Sequence, residues 1–132
     1  MTTTMISTAI EALQHYVDSA TKNLEQARTQ IKDQFEKDYV VGSHAMEKLI
    51  SAQHSVHYWA QIARIIERGE DEASVVQGLR EWATRTADRL LECGRSSSTS
   101  MVSNAIILSE EDEQKRVLRD VSQFIMYVDK QG

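Results

Sequence analysis

Residues 6–31 read ISTAIEALQHYVDSATKNLEQARTQI, and their spacing decides the fold. Ile6, Ile10, Leu13, Val17, Ala20, Leu24, Ala27 and Ile31 fall at alternating steps of four and three. In a helix such residues share one side, so the stretch is the seam of a long amphipathic helix laid along other helices, in the manner of a coiled coil. The seam steps on to Phe35 and Tyr39, the drift expected as a straight helix departs from a seven-residue repeat. No proline occurs anywhere to interrupt it.

The same periodicity recurs three times. Ala45, Leu49, Ala52, Val56, Trp59, Ala63 and Ile66 mark a second helix, and Met46, Ile50, Tyr58, Ile62 and Ile65 widen its stripe. A stripe this broad touches more than one neighbour, which makes helix 2 central. A third segment carries Val75, Val76, Leu79, Trp82, Ala83, Ala87, Leu90 and Leu91 behind the acids Glu70, Asp71 and Glu72, which suit the positive end of a helix dipole. Gly78 inside it costs about 1 kcal/mol relative to alanine, which points to a close helix crossing. Gly42, Gly69 and Gly94 follow periodic segments and are expected to close helices in the left-handed conformation, with Ser43 as the N-cap of helix 2.

Arg95 to Ser100 is polar and unpatterned and reads as a loop. Residues 101–108 read as a short helix or an extended packed segment, with the short helix favoured. Ser109-Glu110-Glu111-Asp112 has the signature of a capping box, so a fourth helix is expected to begin there, with Leu118, Val121, Ile125 and Val128 on one face and Val117, Phe124 and Tyr127 on a second. The expectation is a single all-α domain, an elongated antiparallel bundle with helices at about 4–40, 43–68, 71–93 and 110–129.

Length supplies an oligomer argument. A first helix of about 36 residues spans roughly 54 Å, whereas a compact chain of this size has a diameter of roughly 36 Å. Either the bundle is elongated or a second chain covers part of the seam. The sequence favours a homodimer, with Leu13, Val17, Leu24, Ile31, Phe124 and Tyr127 as the candidate dimer seam.

Composition narrows the classes. A hydrophobic fraction of 41% and a charged fraction of 27% over 132 residues belong to a globular chain with a real core. A net charge of −5 argues against general nucleic-acid binding, which needs a positive face. The single cysteine, Cys93, fits a reducing compartment, the absence of a charged leader or long apolar run fits a soluble chain, and together these suggest the cytoplasm.

Few residues carry candidate chemistry. His54 and His57 lie three apart on helix 2, a spacing that brings two imidazoles to one metal, but no Glu-x-x-His pairs accompany them. A solvated or interface pair is the better reading, and with Arg64 they form a candidate partner surface. His15 and His44 are isolated. Cys93 sits at the C-terminal end of helix 3, where the dipole disfavours a thiolate, so an inert thiol is expected. Arg95, Ser96, Ser97, Ser98 and Ser100 could hold an anion, although no phosphate-loop glycines are present and Glu110 to Glu113 would repel one. Trp59 and Trp82 share the core spacing and read as packing.

No dinucleotide turn, Walker loop, zinc set or nucleophile motif occurs, so no cofactor is expected and an enzyme is disfavoured. The favoured function is a non-enzymatic protein-interaction module: an adaptor, inhibitor, small subunit or chaperone. The proline-free, acidic, long-helix style of residues 4–93 also resembles the phasins, which would imply a coat on an apolar surface. A third reading is a ligand-binding protein using the serine-rich loop for an anion or nucleotide.

Overall fold

The computed structural model describes residues 2–93 and 101–131, and the side chains of 6–91 and 110–130 within them. Four helices and no strand make up the described residues: α1 (Thr2–Asp38), α2 (Ser43–Arg68), α3 (Glu72–Cys93) and α4 (Met101–Gln131). The all-α bundle expected from periodicity is present. α2 touches all three other helices, with α1 and α4 as its main neighbours.

Short connections make α1–α2 and α2–α3 antiparallel hairpins, and cross-helix pairs set their registers. Tyr16 stacks on Trp59 with ring centroids 5.3 Å apart. At the far end of the same hairpin the Gly42 N–H donates to Gln34 Oε1 at 2.9 Å. Between α2 and α3, Trp82 Nε1–H donates to Gln61 Oε1 at 2.8 Å, which satisfies the polar edge of a buried indole. Four residues up α2, Ile65 faces Gly78: a Cβ on that glycine would stand 2.7 Å from Ile65 Cγ2. The expected close crossing is therefore real, and it explains a glycine in mid-helix. Arg80 on α3 forms an ion pair with Asp129 near the end of α4.

The core joins Leu13 and Ala20 of α1, Tyr58, Trp59 and Ile62 of α2, Val75, Val76, Leu79 and Trp82 of α3, and Val117, Val121 and Phe124 of α4. Ile62, Leu79, Val117 and Val121 are the largest fully enclosed side chains. Leu13, Leu24 and Phe124 of the candidate dimer seam are buried within the one chain, Val17 and Ile31 are half-buried, and Tyr127 is exposed. Helix α1, 37 residues long, thus finds its cover along α2 of its own chain.

Helix ends depart from expectation in three places. Among the described residues no glycine has positive φ, and Gly94 lies outside them; the left-handed residue that closes α1 is Tyr39, with φ 55°, whose N–H donates to Phe35 O at 2.9 Å. Gly42 and Gly69 both have φ −68°. What Gly69 provides is room, since a Cβ there would collide with Val75 Cγ2. Ser43 is the first helical residue of α2 rather than its cap; Gly42 holds the N-cap position with no side-chain bond. α3 is capped by Asp71, whose Oδ1 accepts from the Ser74 N–H at 2.8 Å.

The capping box at Ser109 is the clearest correction. α4 begins at Met101, and Ser109 lies eight residues inside it. A side-chain cap contributes about 1 kcal/mol, whereas continuing the helix adds a backbone hydrogen bond per residue. Met101, Ala105 and Leu108 keep the four-and-three spacing that favours continuation.

Gly78→Ala tests the crossing. At an open helix position the change stabilises by about 1 kcal/mol; here the clash with Ile65 should reverse the sign, lowering the urea midpoint, and Ile65→Ala in the same chain should remove the clash component of the loss.

Candidate functional site

The bundle is packed at one end and open at the other, and the sequence shows why. Each seam residue on α1 and α2 has a neighbour one position before it. At the packed end those neighbours include Ala9 and Tyr16 on α1 and Tyr58, Ile62 and Ile65 on α2. Toward the α1–α2 turn the same stripe becomes Asn23, Gln26 and Gln30 on α1, and His44, Lys48, Ser51 and Ser55 on α2. Polar side chains cannot close a dry interface, because their donors and acceptors lose water without gaining partners. The helices here enclose a groove of about 910 Å³, to which α4 contributes Asp112, Glu113 and Arg116.

Glu113 is the groove's unusual residue, 8% exposed though it carries a carboxyl. Its Oε1 accepts from Arg116 Nη1 at 3.1 Å. Burial nevertheless pushes the carboxyl above the ordinary glutamate range; Arg116 and His54 oppose that shift and Asp112 adds to it. Above the groove, Tyr58 O–H donates to Glu110 Oε1 at 2.7 Å, tying α2 to α4.

The candidate partner surface divides. His57 and Arg64 are exposed, with His57 Nε2 3.3 Å from Gln61 Nε2 and the ring edge-on to Tyr58. His54 is half-buried, and its Nε2 is enclosed with no hydrogen-bond partner among the described residues. His57 and Arg64 thus stand at the surface, whereas the Nε2 of His54 does not. Among the described residues no group of three or more His, Cys, Asp or Glu could hold a metal, and no helix is long and apolar enough to cross a membrane. The anion-loop candidates Arg95, Ser96, Ser97, Ser98 and Ser100 lie outside the described residues, as does the side chain of Cys93.

A second feature lies at the same end. Phe35 is 53% exposed, Tyr39 79%, Val40 65% and Met46 41%, and the Phe35 and Tyr39 rings meet edge-on with centroids 6.2 Å apart. Periodicity alone places Phe35 and Tyr39 on a seam; only the end of the bundle reveals that nothing in the described chain covers them. Compared with known protein families, curated proteins and solved structures, the chain matches none.

Two measurements check this geometry. A left-handed conformation costs a non-glycine residue about 1–2 kcal/mol, so Tyr39→Gly should raise the midpoint of chemical unfolding if the ring contributes nothing larger to the monomer. Glu113 binds its proton more tightly folded than unfolded. Its contribution is therefore fully present below the unfolded glutamate value and lost as pH rises through the folded one. Glu113→Gln should accordingly gain stability relative to the parent on going from pH 4 to pH 7, read from paired urea titrations.

Proposed function

We propose that this chain is a non-enzymatic protein-interaction module that docks through the α1–α2 end of its bundle. The observation that supports the reading is the exposed cluster of Phe35, Tyr39, Val40 and Met46. Covering one such side chain contributes about 1.5–3 kcal/mol, and aromatic residues and methionine are enriched in protein interfaces. Tyr39 adds a specific argument. A large exposed aromatic stands where glycine would meet less strain, as expected of a side chain whose use lies outside the folded monomer.

An adaptor, inhibitor or small subunit would all use such an end. The homodimer expected from the length of α1 has a narrower basis, because most of its seam is already spent inside the chain. Self-association through the exposed end would instead pair that patch with itself about a two-fold axis. A coat on an apolar surface calls for a continuous apolar face, whereas most apolar stripe residues of α1 and α2 face the interior.

The test is affinity capture with the parent chain and with Phe35→Ser/Tyr39→Ser/Val40→Ser. The parent should retain one stoichiometric protein, or elute as a dimer by light scattering, and the triple variant should lose that association at unchanged helicity. Retention of the association by the variant contradicts the proposal.

A further inference from the structure

The apolar tip carries a charge pattern of its own. The last two turns of α1 read Lys32-Asp33-Gln34-Phe35-Glu36-Lys37-Asp38, and their charged side chains are all exposed. Residues three apart on a helix are neighbours, so Lys32 and Asp38, of opposite sign, stand one turn to either side of Phe35. Across the turn, Glu47 and Lys48 follow the exposed Met46 and repeat the mixture. The rim around the apolar side chains therefore holds both signs in nearly equal number, while the whole chain carries −5.

That rim discriminates among occupants. An anionic lipid surface selects clusters of Lys and Arg, whereas acids outnumber bases here. A strongly acidic or strongly basic protein would meet like charges as often as opposite ones, and such juxtapositions oppose binding. A second copy of this chain brings the matching set. About a two-fold axis every contact occurs twice with the roles exchanged, so each lysine placed against an acid of the other copy adds two pairs. Between two chains of −5, approach costs least where the signs nearly cancel. Area sets the strength. A fully buried aromatic removes about 150–250 Å² from water, so the exposed parts of Phe35, Tyr39, Val40 and Met46 offer roughly 400 Å² per copy. A stable interface takes about 800 Å² per partner, so the association is weak and concentration-dependent.

We propose that the α1–α2 end joins two copies of this chain tip to tip about a two-fold axis, with Phe35, Tyr39 and Val40 at the centre and lysine–acid pairs around them. The inference rests on that end being the docking surface and adds the identity of the partner. It differs from a dimer along the seam of α1: tip-to-tip contact leaves both helical seams inside their own chains and produces a particle more elongated than the monomer.

The experiment is analytical ultracentrifugation of the full chain from about 10 µM to about 1 mM, a range suited to a weak interface, with two rim variants. One is Lys32→Glu/Lys37→Glu, which makes the rim acidic; the other is Asp33→Lys/Glu36→Lys/Asp38→Lys, which makes it basic. The parent mass should climb from monomer toward dimer with concentration, and the frictional ratio should rise with it. Each variant alone should stay monomeric through like-charge repulsion, and an equimolar mixture should pair at least about tenfold more tightly than either variant by itself. Recovery on mixing shows that both variants are folded. A parent that stays monomeric throughout, or variants that self-associate as the parent does, overturns the proposal. If a monomeric parent still captures another protein through Phe35, Tyr39 and Val40, self-association is wrong and the docking role of this end stands.

Discussion

Everything else in this structure depends on the burial of Ile62 against Leu79, Val117 and Val121. These side chains come from three helices, and each is sealed almost completely from water. An isolated helix of this length gains little from backbone bonds alone, so its persistence rests on tertiary cover for its apolar face. α2 is the element that shares that cover. Its wide stripe reaches α1 through the Tyr16–Trp59 stack, α3 through the Gly78 crossing and Gln61, and α4 through Tyr58 and Glu110. Because Leu13 and Ala20 join the same cluster, the outer helix is held by the centre that organises the other three.

Along α1 and α2 the bundle changes character without changing secondary structure. The seam persists through Leu24, Ala27 and Ala45, all buried, so the hairpin stays zipped. What disappears is the second apolar stripe beside the seam. Once Asn23, Gln26, Gln30, Lys48, Ser51 and Ser55 replace it, a third helix can stand alongside but cannot be packed dry. One end therefore supplies stability, and the other presents a wet groove and an apolar tip. Such a division would suit the proposed recognition role, because local opening at the groove end need not disturb the core.

Much of this was legible in the residues. The four-and-three spacing predicts α1, the double-width stripe predicts a central α2, and a glycine among good helix formers predicts the close crossing. Local signals at helix ends misled for an understandable reason: they are small terms that tertiary packing overrides. Ser109 has every local feature of a cap, yet apolar spacing on its N-terminal side carries α4 through it. Tyr39 occupies a conformation for which glycine was the better candidate, and Gly69 is needed for space rather than for φ. The groove was present in the sequence as a polar stripe one position before the seam, visible only when flanks are compared between the two ends. Glu113 was harder, since its burial depends on the register of α4 against α2, which no single-helix pattern contains.

The central claim is that one end of the bundle carries the stability and the other is the adaptable surface. Native-state hydrogen exchange tests it most directly, residue by residue, on the intact chain. The account predicts that amides around Ile62, Leu79 and Val121 exchange only through global unfolding, while those around Gln30 and Lys48 exchange through openings of clearly lower free energy. Equal protection across both ends, or greater protection beside the groove, would contradict it.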